Sequence, residues 1–146
     1  LGGAIIASLI LEALLADVVE GPLGGNLGAI AWNEVAVANL GAAFGIELIL
    51  GFVLVFVMLV LIVGPGAQAA HPLAPVGPGL IVVVGTLLAF VLTGAAMNPA
   101  RALGPAIVAD IWTDHWIYWI APLGGAAVAA VIYEGIFTER WSPFKR

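Results

Sequence analysis

Three polar residues, Glu47, Asn98 and Arg101, stand out in an otherwise apolar chain because their types and spacing could act on a passing polar solute. Asn98 is followed by Pro99, a pair that predicts a helix start, since Asn caps exposed amides and Pro is tolerated at the first helical position. We predict a half-helix over residues 98–108. Its N-terminus carries partial positive charge, so together with the Asn98 amide it can orient a water molecule and raise the energy of a cation.

The residues just before this helix start, Gly94, Ala95, Ala96 and Met97, are too interrupted to continue a spanning helix. Irregular backbone at membrane depth is tolerated only where it is buried in protein or lines a water-filled cavity. We therefore expect this segment to line such a cavity, with its carbonyl oxygens as a ladder of acceptors.

Arg101 is the first basic residue of the chain, and the next is Arg140. An arginine near membrane depth is a functional candidate, although it could also extend to the lipid headgroups from an interfacial position. The Asn-Pro pair just before it favours a place at the outer narrowing of a pore.

Glu47 lies within an apolar span, where an ionisable side chain needs a partner. The free amides of the segment before Asn98 are suitable donors. A proton relay and a structural pair with another buried polar group are the alternatives.

Composition places these residues in a membrane, because 63% of the 146 residues are hydrophobic and 9% are charged, against about 25% charged in soluble domains. Segments of about 20 apolar residues can span a bilayer, and four candidates occur, at 1–16, 41–63, 76–92 and 116–137. The fold class is thus an all-α membrane protein. Small residues at helix-packing spacing, Gly41 with Gly45 and Ala121 with Gly125, are expected to let helices approach closely.

Charge and aromatic residues indicate an orientation. Basic residues favour the cytoplasmic side, and Arg140, Lys145 and Arg146 follow the last span, so the C-terminus is expected in the cytoplasm. The connections at 17–40 and 94–115 would then lie outside and the connection at 64–75 inside. An aromatic belt at the outer edge is expected from Trp112, Trp116, Tyr118 and Trp119.

Other chemistries are disfavoured. The chain has no cysteine, and we find no nucleophile paired with a base, no cluster of metal ligands and no phosphate-binding loop, so we predict neither an enzyme nor a cofactor, a metal or a nucleic-acid partner. His71 is expected to be an ordinary loop histidine, with a pH gate as the alternative, and His115 is expected to belong to the aromatic edge. The acidic residues Glu12, Asp17 and Glu20 are expected to form a solvated loop entrance rather than an ion site.

The stretch from Gly94 to Arg101 resembles the second signature loop of the aquaporins, the major intrinsic protein family. Residues 115–124 resemble the last helix of that family and residues 45–47 its fourth helix. The resemblance implies six tilted helices and two half-helices in two inverted repeats, usually assembled as a homotetramer with one pore in each subunit. By this resemblance, residues 1–146 look like the end of the third helix through the sixth, so we expect a fragment that does not form a complete pore by itself.

The resemblance also places an aromatic/arginine constriction at Thr86, Ala95 and Arg101. Thr86 departs from the His of strict water channels and, with the small Ala95, should leave a wider opening. Four other positions resemble water channels rather than glycerol facilitators; they are Ala102, Ala106, Tyr118 and Trp119.

The apolar pore wall is expected at Leu54, Val82 and Met97, with ordinary helix packing as the alternative. We predict a passive water channel of relaxed selectivity in the cell membrane, whose partners are water, small uncharged solutes and lipid. The alternatives are a glycerol or small-solute facilitator, a non-conducting structural protein of the same fold and a secondary transporter.

Overall fold

The computed structural model describes residues 1–19, 27–63 and 73–137, and in these ranges the regular structure is helical. Five α-helices follow one another along the chain. They are α1 (Gly2–Val19), α2 (Leu40–Met58), α3 (Val76–Thr93), α4 (Pro99–Ala109) and α5 (Ile117–Phe137). A π-helical turn, Leu59–Val63, extends α2 at its C-terminal end.

Three of these helical segments are long and apolar enough to cross a membrane, namely Leu40–Val63, Val76–Thr93 and Ile117–Ile136. Many of their large apolar side chains are exposed, as in Leu87, Leu88 and Val131. Such exposure suits helices whose surroundings are lipid or further membrane helices, because a bilayer core offers no water to these surfaces.

The first helix is kinked close to the predicted end of the first span. α1 is apolar from Gly2 to Leu15, where the backbone is non-helical with φ −117°, and beyond this kink Asp17 is helical, although the connection was expected to begin there. The reason is local: no Gly or Pro stands between Ala16 and Gly21 to stop the helix. Glu20, expected at a loop entrance, lies outside the described residues.

α2 and α5 form the most extensive helix pair among the described helices. Phe44 faces Trp116 near the two N-terminal ends and Phe56 faces Tyr133 near the two C-terminal ends, with ring centroids 6.0 and 6.4 Å apart. The two helices therefore run parallel. The carboxylate of Glu47 and the hydroxyl of Tyr118 are thus brought to the same end of the pair.

Glycine makes this close approach possible. A Cβ added at Gly125 would collide with the Leu48 carbonyl oxygen and lie 2.7 Å from the Phe52 nitrogen, and a Cβ at Gly51 would lie 2.6 Å from the Pro122 backbone. By contrast, a Cβ at Gly45 would meet nothing within 4 Å. Of the two predicted small-residue pairs, the one containing Gly125 lies in a helix contact within the described part of the chain.

Candidate pore-lining site

α3 ends at the residue where the irregular segment begins. Gly94 has φ +84°, and its N–H donates to the carbonyl of Phe90, a left-handed C-terminal cap that favours glycine. A Cβ at Gly94 would also lie 2.5 Å from Ile30 Cγ2. Glycine is therefore required here twice, by the backbone angle and by the neighbouring side chain.

The entry segment, residues 94–97, is buried and conformationally unusual. Ala95, Ala96 and Met97 are each less than a tenth exposed, and both Ala95 and Met97 have positive φ, at +50° and +52°. Left-handed conformations are unfavourable for residues with a Cβ and persist where surrounding contacts impose them.

The Ala95 N–H donates to the Thr93 hydroxyl at 3.3 Å, and further contacts come from Glu47, whose side chain is fully buried on α2. Its carboxylate accepts hydrogen bonds from the Ala96 N–H at 2.9 Å, the Met97 N–H at 3.0 Å and the Thr93 hydroxyl at 2.7 Å. The two amides are donors of the kind expected from the sequence. Charge-assisted bonds to backbone amides are strong, so Glu47 ties the entry segment to α2.

The orientation of the entry-segment carbonyls follows from this arrangement. The described part of the chain contains no cis peptide, and in a trans peptide the N–H and C=O point in opposite directions. Because the Ala96 and Met97 amides point at Glu47, the carbonyl oxygens of Ala95 and Ala96 point away from it. They are left as acceptors on the opposite side of the segment.

Asn98 caps the half-helix as its type and position predict. Its side-chain oxygen accepts from the Ala100 N–H at 2.9 Å, and Pro99 occupies the first turn. With the oxygen engaged, the side-chain NH2 group faces outward from an exposed residue. The helix N-terminus therefore presents both a donor and a partial positive charge.

Arg101 is half-buried on the next part of α4. Its Nη1 donates to the carbonyl oxygen of Gly28 at 3.1 Å. Gly28 belongs to the connecting segment, residues 27–39, which leads into α2. The guanidinium is therefore held by a backbone carbonyl 73 residues away along the chain.

The other residues expected at the constriction and pore wall lie on α2 and α3. Thr86 is half-buried on α3. Its neighbour Gly85 lies close to Met97, since a Cβ added at Gly85 would be 3.2 Å from Met97 Sδ. Leu54 packs against the cluster formed by Ala89, Ala95 and Met97. Val82 is 43% exposed and is not part of that cluster.

The residues of the predicted aromatic belt differ in exposure. Trp112 and Trp116 are about half exposed, whereas Tyr118 is 0% exposed and its hydroxyl donates to the Thr93 carbonyl at 2.9 Å. The belt prediction is therefore wrong for Tyr118. Its hydroxyl satisfies a buried carbonyl beside the entry segment, which an interfacial tyrosine could not do.

His115, expected at the aromatic edge, is buried just before α5, with both ring nitrogens unpaired among the described residues. It makes edge contacts with Trp112 and Tyr118. Burial lowers the pKa of His115 below its usual value, because desolvation disfavours the imidazolium. His71 lies outside the described residues.

This lowered pKa predicts a pH-dependent stability. The folded chain binds fewer protons at His115 than the unfolded chain, so stability from this group is fully present above a pH of about 6.5 and is lost as the pH falls below that value. The loss is expected at up to about 1.4 kcal/mol per pH unit. Thermal unfolding at about pH 7.5 and about pH 5 should show a larger drop in Tm for wild type than for His115→Phe, which keeps a ring in the same place. Both proteins should carry His71→Gln, which removes the other histidine of this chain. Equal drops in Tm would contradict the prediction.

The connecting segment is the part of the site that sequence reasoning missed. The Asn33 N–H donates to the Leu92 carbonyl at 2.7 Å, and Trp32 Nε1 donates to Asp114 Oδ2 at 2.9 Å. Ile30, 5% exposed, packs against Gly94. The one available signal was a Trp in a Gly-rich, polar stretch, and it does not identify a partner.

Three helices of spanning length and a capped half-helix, entered through a segment held by a buried carboxylate, define a helical integral membrane protein with a re-entrant element. Comparison with known proteins agrees with this class of protein. Residues 1–133 match the sequence model of the family described as Major intrinsic protein. The chain therefore belongs to the major intrinsic protein family.

Individual relatives show the same likeness. The chain is 35% identical over 135 residues to "Probable aquaporin TIP1-2" of Oryza sativa subsp. japonica, covering 92% of this chain and 50% of that protein. It is 40% identical over 115 residues to "Aquaporin TIP4-4" of Zea mays, covering 75% and 45%. The chain thus spans about half the length of these curated relatives.

Among solved structures, the aquaglyceroporin from Plasmodium falciparum is similar in fold. It superposes with a TM-score of 0.69 at 24% sequence identity, covering 92% of this chain and 60% of that chain. This likeness shows an all-helical, aquaporin-like fold.

Proposed function

We propose that this chain is the second half of a passive transmembrane channel that conducts water. The observation that carries the proposal is the entry segment, whose amides are bound by Glu47 and whose Ala95 and Ala96 carbonyls point the other way, leading to the N-terminus capped by Asn98. A row of acceptors ending at a donor and a positive helix end suits a column of water molecules and opposes a cation. The names of the relatives, which are aquaporins, support the same function.

In this proposal each site residue has a role. Asn98, Pro99 and Ala100 form the Asn-Pro-Ala helix start that orients water, and Gly94, Ala95, Ala96 and Met97 supply the carbonyls. Thr86, Ala95 and Arg101 form the constriction. Leu54, Val82 and Met97 form the apolar wall, and Glu47 supports the loop.

The remainder of the channel belongs to the same proposal. Residues 1–146 would contribute the end of the third helix through the sixth, and a preceding half would supply the other wall and a second Asn-Pro-Ala start. We further propose a homotetramer in the cell membrane with the C-terminus in the cytoplasm. The role is that of a channel and not of an enzyme.

Passage of small neutral solutes is the second candidate, and one observation favours it. Thr86 and Ala95 are small for constriction residues, so the opening would be wider than one containing His at the first position. Glycerol is a suitable test solute.

The test is stopped-flow light scattering on proteoliposomes that contain the full-length protein. We expect rapid osmotic shrinkage, and in an Arg101→Ala variant we expect glycerol entry to rise about tenfold, which corresponds to a barrier lower by about 1.4 kcal/mol. The physical reason is that this variant removes both a large side chain and its five donors from the constriction.

Arg101→Lys is the matched control for charge, because it keeps the cation but loses the planar fork. Shrinkage no faster than that of empty liposomes would contradict the water channel. Equal rates of glycerol entry in wild type and Arg101→Ala would contradict the placement of Arg101 in the constriction.

A further inference from the structure

The connecting segment, residues 27–39, is fastened around the site at several points. Near its start, Leu27 and Gly28 both have positive φ, at +51° and +77°, which forms a tight turn and presents the Gly28 carbonyl to Arg101. Near its middle, the Asn33 N–H satisfies the Leu92 carbonyl in the last turn of α3. The segment is therefore a bridge between α3 and the guanidinium.

One of these attachments is a side-chain contact. The half-buried Trp32 donates its indole N–H to the carboxylate of Asp114 at 2.9 Å, and Asp114 itself has φ +47°. A hydrogen bond to a charged acceptor is among the stronger ones. This bond ties the connecting segment to the turn before α5. Within the segment, Trp32 is four residues from Gly28, whose carbonyl holds Arg101.

The Arg101 guanidinium has one hydrogen-bond partner among the described residues, the Gly28 carbonyl. A long side chain with a single backbone partner points where that partner lies. The position of Gly28 therefore determines how far the guanidinium extends.

We propose that the Trp32–Asp114 hydrogen bond positions the Gly28 carbonyl, and through it Arg101, and so sets the size limit for solutes. Trp32 and Asp114 are positioning residues that need not touch the solute. This inference rests on the proposed function, since it concerns the constriction of that same channel.

The experiment compares glycerol and water permeability of the full-length protein in proteoliposomes. Trp32→Phe keeps a ring but removes the donor, and we expect the glycerol-to-water ratio to rise about fivefold, since permeation through a constriction is sensitive to small displacements of its donors. Trp112→Phe is the matched control, because Trp112 donates to Asp110 at 2.9 Å in an exposed local contact. It should leave the ratio unchanged.

Variants of Asp114 supply a second test of the proposal. Asp114→Asn keeps an acceptor oxygen and suits a left-handed backbone, so its ratio should stay near that of wild type, whereas Asp114→Ala should raise it. If Trp32 and Asp114 act through one bond, the double variant Trp32→Phe/Asp114→Ala should show no more than the larger single effect. Fully additive effects would overturn the proposal.

The outcomes separate two failures. Wild-type vesicles that shrink no faster than empty ones contradict the proposed function, and with it any constriction to position. Wild-type vesicles that shrink rapidly, while Trp32→Phe and Trp112→Phe have equal ratios, contradict the positioning role alone. Size-exclusion profiles identify any variant that has failed to fold. If Trp32→Phe is one of these, the ratio of Asp114→Ala compared with that of Asp114→Asn tests the positioning role instead.

Discussion

Replacing Glu47 with Ala is expected to abolish water conduction and to lower the free energy of unfolding by about 3 kcal/mol or more. The carboxylate accepts from Thr93, Ala96 and Met97, and all three donors are buried. Each buried donor left without an acceptor costs about 1–3 kcal/mol. Without Glu47, the left-handed residue Met97 also loses the acceptor of its amide, and the Thr93 hydroxyl that accepts from the Ala95 N–H loses its own acceptor.

Glu47→Gln separates charge from shape. It keeps one acceptor oxygen but places an NH2 group against donors that need an acceptor, so we expect a partial loss of stability and of conduction. Glu34→Gln, the same change at an exposed position in the connecting segment, should shift stability by less than about 0.5 kcal/mol.

Thermal unfolding in detergent and stopped-flow shrinkage of proteoliposomes measure the two effects of the Glu47 variants. Near-normal conduction by Glu47→Ala would show that the entry segment holds its shape without the carboxylate.

The second large effect is expected at Gly125. Gly125→Ala should lower the free energy of unfolding by about 3 kcal/mol, the upper part of the range for overpacked sites, because the new Cβ meets the backbone of α2 at Leu48 and Phe52. Backbone atoms cannot turn aside as a flexible side chain can. The helices would have to separate, which would move Glu47 away from the entry segment and reduce conduction.

Gly124→Ala is a close control for this change. It lies on the same helix, and a Cβ there meets nothing within 4 Å, so stability should be unchanged or raised by up to about 1 kcal/mol from helix propensity. Thermal unfolding and water permeability of the two variants should therefore diverge. If Gly124→Ala and Gly125→Ala behave alike, close packing of α2 on α5 does not stabilise the protein.

Much of the local structure could be predicted from the sequence. Apolar length indicated the spans, and Asn98 with Pro99 indicated where α4 begins, because capping and proline geometry act between neighbouring residues. The need for donors around Glu47 also followed from the sequence, since a carboxylate in an apolar span must be satisfied. These features depend on one residue and its immediate surroundings.

Which hydrogen-bond partners meet depends on the packing of distant segments. Tyr118 was expected at an interface and is instead buried against Thr93, and Trp32 pairs with Asp114 across 82 residues. Both contacts depend on how the segments before and after α3 fold back over its end, and no local periodicity encodes that path. Likewise, Gly45 and Gly125 look equivalent in sequence, but α5 packs on α2 at Gly125. Residue types alone indicate which groups need partners, and the packing of the helices brings particular groups within reach of one another.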